Sequence, residues 1–365
     1  MRYAWGSRSA LPQLLGLPEA TQPWAELWFG AHPRGPARCA DRSLLELIAE
    51  SPAELLGRRD VERFGPSMPF LVKLLAAAEP LSLQVHPSAE LARKRFLDER
   101  ALGVATPSMA DPNAKPELLV ALSPFEVLAG LRPIDEAKAL LERVGFISAT
   151  AAPVGESVKP VELLAEVLLD PELRVRKVLQ QVERWPAEPV FQWARELAGR
   201  YPRDPAALSP LLLSYACLQP GESIAIPTGT PHLYLVGTGL EVMASSDNVL
   251  RGGLTPKTVD VGAFLSASSD SPIALESPPV VSGRRRYSSP SDRFAVEEVS
   301  VSGAERIAPA SLEILIGLHG SGELEALSPR AASVPMSPGR AVVVSASCAE
   351  YVARGLFAFH RVFVP

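Results

Sequence analysis

Apolar and polar positions fall into short runs over the first hundred residues. Phe70-Leu-Val-Lys-Leu-Leu-Ala-Ala predicts a strand, and Leu81-Ser-Leu-Gln-Val-His alternates with period two until Pro87 stops it. Leu91 to Arg100 is charged and predicts a short helix. Another strand is predicted over Glu117-Leu-Leu-Val-Ala-Leu, after Lys115-Pro116. From Ile134 to about Ser214 the period lengthens. Asp135 to Val144 has helical spacing with Gly145 as its stop, and 161–169, 173–185 and 190–199 read the same way. After Leu218 short strands return: Gly221-Glu-Ser-Ile-Ala-Ile, His232 to Gly237 and Leu240 to Ala244. From Pro272 onward more follow, at Phe294 to Val299, Leu312 to Leu318, Gly339 to Ser345 and Leu356 to Phe359.

The pattern predicts a mainly β chain with a helical insert, its strand spacing suiting sandwiches or jelly rolls. Pro220, Gly221, Ile224 and Ile226 share their spacing with Pro338, Gly339, Val342 and Val344, which hints at two related β-barrels. The expected division is 1–133 with 215–265 as one β unit, 134–214 as the helical insert, and 266–365 as a second β unit. A length of 365 residues accommodates two or three such units at roughly 150 residues each.

Composition narrows the function. Net charge is −5, so no global basic field exists to hold nucleic acid. No run of about 18 apolar residues predicts a membrane span. Proline is abundant, 36 residues spread along the chain, which calls for many turns rather than a proline-rich linker. Cys39, Cys217 and Cys348 form no disulfide framework and no CxxC pair. With no secretory h-region at the start, a reducing, cytoplasmic location is expected. No partner-binding surface is visible, and a monomer is expected.

Candidate chemistry starts at Gln84-Val85-His86. Residues two apart on a strand share a face, so an amide oxygen and an imidazole can enter one cavity as metal ligands; two polar residues on a solvent face give the same triplet. Glu117 opens a strand after a proline that holds Lys115 extended, facing either the same cavity or solvent. His232 follows a turn and precedes an apolar strand, as a barrel-mouth histidine or a structural one does. Together Gln84, His86, Glu117 and His232 suit zinc with positions open to substrate; the two-histidine, one-carboxylate subset also suits iron(II). The run Glu241 to Lys257 crowds Asp247, Asn248, Arg251 and Lys257 into one loop. Arginine and lysine beside a metal suit an anionic substrate, above all a phosphate. Gly283-Arg-Arg-Arg-Tyr reads as a solvated loop, and His319 and His360 as structural.

These residues carry a resemblance. Ala25-Glu-Leu-Trp-Phe-Gly-Ala-His-Pro, Pro69-Phe-Leu-Val-Lys-Leu-Leu, Leu81-Ser-Leu-Gln-Val-His-Pro, Asp111-Pro-Asn-Ala-Lys-Pro-Glu, Pro231-His-Leu-Tyr-Leu-Val-Gly and the Glu241–Lys257 string resemble the type I mannose-6-phosphate isomerases, zinc enzymes of the cupin class. The match runs over roughly residues 1–265. It implies two cupin-type jelly-roll barrels flanking the helical insert, and one zinc ion per chain on Gln84, His86, Glu117 and His232. It implies a small phosphosugar substrate, isomerised between mannose 6-phosphate and fructose 6-phosphate through an enediol. Arg251, Lys115, Glu241 and Asp247 fall on catalytic positions. Ser82, Tyr234, Lys257 and Arg251 fall on substrate-binding ones. Two departures stand out. Ala114 replaces the family's usual histidine before Lys-Pro-Glu, and Gly252-Gly253 replaces its frequent Ala-Gly. A non-catalytic sugar-phosphate sensor, an isomerase of another phosphosugar and an iron(II) oxygenase are the competing readings.

Overall fold

The computed structural model describes every residue except 148–157, 171–172, 272 and 328–332. Pro272 and part of the expected helical insert therefore lie outside the described residues. The chain is mainly β, arranged in a ten-stranded sheet, a six-stranded sheet and a small two-stranded ribbon. Among the described residues, neither large set of pairings closes into a ring.

The hub of the first sheet is one strand, His232–Ala244. Its second half lies between Phe70–Ala77 and Glu117–Ala121; its first half pairs with Phe125–Leu131 and, at His232, with Gln84. Two separate strands were expected here. Gly237, at φ +139°, carries the chain through instead, and a Cβ there would sit 2.6 Å from the Phe125 ring. The alternating stretch at 81–86 is shorter than expected, a strand only over Leu83–Val85, which also pairs with Leu250–Gly253.

Strand alternation sorts the side chains. Phe70, Val72, Leu74, Leu118, Val120, Leu240 and Val242 face away from the site. They pack against Ile314, Ile316 and Val362 of the second sheet and against Leu44 and Ile48 of a short N-terminal helix. That helix, Leu44–Glu50, is fixed by reciprocal bonds: the Ser43 hydroxyl accepts from the Glu46 N–H, and the Glu46 carboxylate accepts from the Ser43 N–H. On the opposite face, Lys73, Glu117 and Glu241 stand among Leu75, Leu119 and Tyr234.

Helices fill the interval after Pro133: Ile134–Arg143, Pro160–Leu168, Leu173–Leu179 and Pro189–Arg200. Their apolar faces share one core with Leu83, Val85, Leu128, Leu233 and Leu250. Trp193 Nε1–H and the Tyr215 hydroxyl both donate to Glu126 Oε2, tying the helices to the sheet.

The six-stranded sheet is built on three long strands, Ala295–Ile307, Glu313–Ala326 and Tyr351–Phe363, well beyond the short segments expected. Gly303, Gly355 and Gly322 lie abreast across them, and a Cβ on Gly322 would meet the Arg354 carbonyl oxygen at 2.3 Å. The basic run is a strand, Arg284–Tyr287, not a loop. Its arginines are matched by Glu297, Glu298 and Glu305 of the neighbouring strand.

Candidate metal centre

His86 directly follows the Leu83–Val85 strand, Glu117 opens Glu117–Ala121, and His232 opens His232–Ala244. The topology brings these three buried residues together, with potential ligand atoms all within 4.8 Å of one another. Gln84, opposite His232 in the ladder, is the fourth predicted ligand, its Nε2 3.2 Å from His232 Nε2. Which amide atom faces the ring is an assignment; a rotation about the last side-chain bond presents the oxygen.

Both imidazoles are set by carbonyls behind them. His86 Nδ1–H donates to the Asn248 carbonyl at 2.7 Å and His232 Nδ1–H to the Thr230 carbonyl at 2.9 Å. This leaves the Nε2 lone pair of each ring facing forward. They face Glu117: His86 Nε2 is 3.1 Å from Oε1 and His232 Nε2 is 3.6 Å from Oε2. Lys115 Nζ is 2.9 Å from the same Oε1. His86 Nε2 and Glu117 Oε2 are buried without hydrogen-bond partners among the described residues. Two lone pairs aimed at a buried carboxylate repel it, and a cation between them reverses that. The donor set of two imidazoles, one carboxylate and one amide fits zinc.

The electrostatics of the cluster support that arrangement. Burial alone would raise the Glu117 carboxyl, but Lys115, His86 and His232 outweigh it and hold it well below the usual range. Burial lowers His86, with Lys115 adding to it, and burial and then His86 lower His232 to about 4. All three therefore present their metal-binding protonation states at neutral pH.

Beside this cluster, Glu241 faces Lys73, with Oε2 3.1 Å from Nζ; Lys73 also lies 3.4 Å from Glu26 and 5.4 Å over the Trp28 ring. Burial raises the Glu241 carboxyl against the pull of Lys73. Tyr234, on the same strand, is buried with its hydroxyl unpartnered among the described residues; burial and then Glu241 raise it well above the usual phenol. Ser82 precedes the Gln84 strand by one residue, two positions from Gln84. Arg251 lies opposite Gln84 across the ladder. Burial lowers its guanidinium, and burial and then Arg251 lower Lys257. Asp247 stands apart from the carboxylates above. His32 Nε2 is 3.2 Å away, the Arg34 guanidinium is 2.5 Å away, and the His32 bond and the arginine keep Asp247 ionised below its ordinary range.

Several roles were not anticipated. Lys73 had a signal, the single charge in an apolar strand. Asn248 is buried under His86, and its side chain bonds the Ala110 N–H and the Asp111 and Asn113 carbonyls, fixing the approach to Lys115 and Glu117. His32, Asp111 and Glu26 reach the site only through long-range folding.

Comparison with known proteins agrees. Residues 1–134 match the model of the phosphomannose isomerase type I catalytic domain. Mannose-6-phosphate isomerase of Escherichia coli K12 is 35% identical over 385 aligned positions, covering 99% of this chain and 97% of that protein. The chain belongs to the type I phosphomannose isomerase family. The human mannose-6-phosphate isomerase is 33% identical over 312 positions, covering 74% of this chain and 71% of that one. An alanine variant of phosphomannose isomerase from Salmonella typhimurium superposes with TM-score 0.92 at 34% identity, covering 100% of this chain and 97% of that one. A mannose 6-phosphate isomerase bound with zinc and yttrium gives 0.90 at 34% identity, with the same coverage. Among the described residues no helix is long and apolar enough to cross a membrane.

Proposed function

We propose that this enzyme interconverts mannose 6-phosphate and fructose 6-phosphate, moving a proton between C1 and C2 through an enediol. One zinc ion would be held by Gln84, His86, Glu117 and His232. The observation that carries this reading is the pair of imidazoles, each fixed by a backbone carbonyl, with both Nε2 lone pairs turned on buried Glu117.

Zinc bound there supplies a Lewis acid for the sugar's carbonyl and hydroxyl oxygens. The chain's own residues do the rest. A proton shuttle needs a buried group able to take and return a proton. Of Lys115, Glu241 and Asp247, Glu241 suits best, because burial raises its carboxyl even against the pull of Lys73 beside it. Lys115 is engaged with Glu117, and Asp247 with His32 and Arg34. The Tyr234 hydroxyl supplies a donor toward the sugar. Arg251 and Lys257, both lowered by burial, gain from an anion and receive the phosphate, a role the resemblance extends to Ser82. With Ala114 in place of a histidine, ring opening falls to Lys115, to water or to the sugar itself. In this reading 1–133 with 215–265 form a cupin barrel that carries the site, 134–214 a helical insert and 266–365 a second barrel.

The test is conversion of mannose 6-phosphate to fructose 6-phosphate, before and after chelation and with zinc restored. Turnover lost to the chelator and regained with zinc is expected. Absent turnover in protein that measurably holds zinc would overturn the substrate assignment, and turnover indifferent to chelation would overturn the metal.

A further inference from the structure

The two cations read as the phosphate clamp lie on either side of an awkward stretch of backbone. Arg251 precedes it and Lys257 follows. Between them Gly253 sits at φ +153° and Leu254 at φ +59°. Glycine takes such angles freely and leucine does not. The Leu254 side chain is buried in the core it shares with Leu208, Leu211 and Phe264, so it cannot swing out to relax.

One side chain from the helical block holds this stretch. Asp204 Oδ2 accepts the Leu254 N–H at 2.6 Å, while Oδ1 accepts the Ala206 N–H at 2.9 Å and anchors the carboxylate on the turn Pro205–Leu208. Gly253 lies flat against the same group. A Cβ there would be 2.7 Å from Oδ1 and 2.5 Å from the Ala206 Cβ. The ladder between Arg251 and Gly253 slips register at this point.

We propose that Asp204 is a positioning residue that sets the Arg251–Lys257 segment to receive the substrate's phosphate, and that through it the helical block serves the reaction. The inference rests on the phosphate reading of Arg251 and Lys257 given above. Without Asp204, the Leu254 N–H is left buried and unpaired, and only the buried Leu254 side chain still opposes relaxation of the positive φ. The segment then relaxes, and Arg251 shifts against Gln84, its partner across the ladder. Phosphate and reacting carbons lose their common registration.

The experiment uses zinc-loaded full-length enzyme carrying Asp204→Ala, Asp204→Asn, or Asp204→Ala with Leu254→Gly, and Arg251→Ala as the reference. It reads kcat, KM for mannose 6-phosphate, inhibition by inorganic phosphate, zinc content and hydrogen exchange across 250–257. In Asp204→Ala, KM and the phosphate inhibition constant rise about tenfold while kcat moves less, the mark of lost binding rather than lost chemistry. Zinc content stays at the wild-type level, and exchange quickens in 250–257 but not in 70–77. Asp204→Asn, with one acceptor oxygen in place of two, falls between and serves if the alanine variant does not fold. Adding Leu254→Gly recovers part of the KM loss, because glycine takes the positive φ without strain, although it gives up buried apolar volume. A normal KM in both Asp204 variants, with KM raised in Arg251→Ala, overturns the inference. So does a double variant that recovers nothing. A normal KM in Arg251→Ala as well overturns the phosphate reading itself, and the role of Asp204 falls with it.

Discussion

In the first sheet Glu241 lies opposite Lys73 on one side and Leu119 on the other, and Glu117 is two residues before Leu119. In the second sheet Arg361 lies opposite Glu297 and Leu315, and Glu313 is two residues before Leu315. Lys73, Glu241 and Glu117 thus hold the same ladder positions as Glu297, Arg361 and Glu313, and the shared Pro-Gly spacing leads into the matching next strand. Ile226 pairs with Glu117, and Val344 with Glu313. The charges differ. The central residue is a carboxylate in one sheet and a guanidinium in the other. Arg361 Nε and Nη2 donate to both oxygens of Glu313, Nη1 donates to Glu297, and the Tyr351 hydroxyl completes Glu313.

The second sheet therefore puts its cation at the central position, whereas the first, even with Lys73 and Lys115 beside its carboxylates, leaves Glu117 Oε2 and the imidazole lone pairs to be satisfied from outside. Glu117 raises the cost of ionising Glu241, where Glu313 favours the charged Arg361. Backbone continuity differs in parallel. The long strands of the second sheet run on through a single register shift between Gly317 and His319, whereas the first sheet breaks between Ala77 and Leu83 and turns at Gly237, and its ligands His86, Glu117 and His232 stand at or next to strand ends. A self-neutralised interior permits a continuous ladder; a site that must admit a substrate requires the ladder to open.

The comparison breaks most sharply at His232 and Tyr351, which open strands of 13 residues and point at the respective carboxylates. His232→Ala should abolish zinc retention and lower turnover about a thousandfold or more, the scale of several kcal/mol of lost charge stabilisation. Tyr351→Phe should leave zinc content and turnover unchanged and cost about 1.5–3 kcal/mol of stability, one hydrogen bond to a charged group. Metal analysis and steady-state kinetics on both variants check the pair. A metal-free, fully active His232→Ala would sink the assignment of the first sheet.

How far this was legible depends on where the signal lay. Phe70–Ala77 and Glu117–Ala121 were readable because both faces are buried and the apolar runs are continuous. Gln84 and His86 stood out by their spacing, which a solvent-facing pair shares, and the resemblance marked them as ligands. The second sheet was read as short strands because Gly303, Gly320, Gly322 and Gly355 cut its apolar pattern. Its interior carboxylates also make an inward face look solvated. The arginines at 284–286 misled for the same reason, since their partners Glu297, Glu298 and Glu305 come from the next strand. Asp204 and His32 carry no local mark; each acts on a loop 50 or more residues away in sequence, as Asp204 does on Leu254 and His32 on Asp247.

Arg361 tests the other half of the comparison. Arg361→Ala leaves Glu313 buried without its cation, while Glu297 keeps Arg286, and should cost about 3–5 kcal/mol in urea unfolding. Turnover per folded molecule should stay the same. Replacing Arg361 with Met and Glu313 with Leu together should recover most of that loss, because a buried pair exchanged for apolar volume is often neutral. A loss under about 1 kcal/mol for Arg361→Ala would mean water reaches the carboxylates, and the second interior would not be self-contained.

The smallest effect concerns the seam between the sheets, where His360 is buried with both ring nitrogens unpartnered among the described residues. Tyr287 lies 6.0 Å from its ring, Glu298 and Ile316 flank it across the ladders, and Arg285 bonds both Glu298 and the Gly221 carbonyl of the first sheet. Burial, with Arg285 adding to it, lowers the imidazole to about 3. In the unfolded chain it titrates at about 6.5, so below that pH the unfolded state takes up a proton that the folded state refuses. The stability contributed by neutral His360 is full above about pH 6.5 and declines as pH falls toward 3. His360→Phe keeps the shape, removes the proton and should flatten the fall of the urea midpoint in that window, while changing little at pH 7.5. The histidines of the metal site are common to both proteins, so the difference between the two curves isolates position 360. Parallel curves would mean that the charged imidazole finds an acceptor, and the acceptor nearest in the ladder is the Glu298 carboxylate that Arg285 and Tyr287 now share.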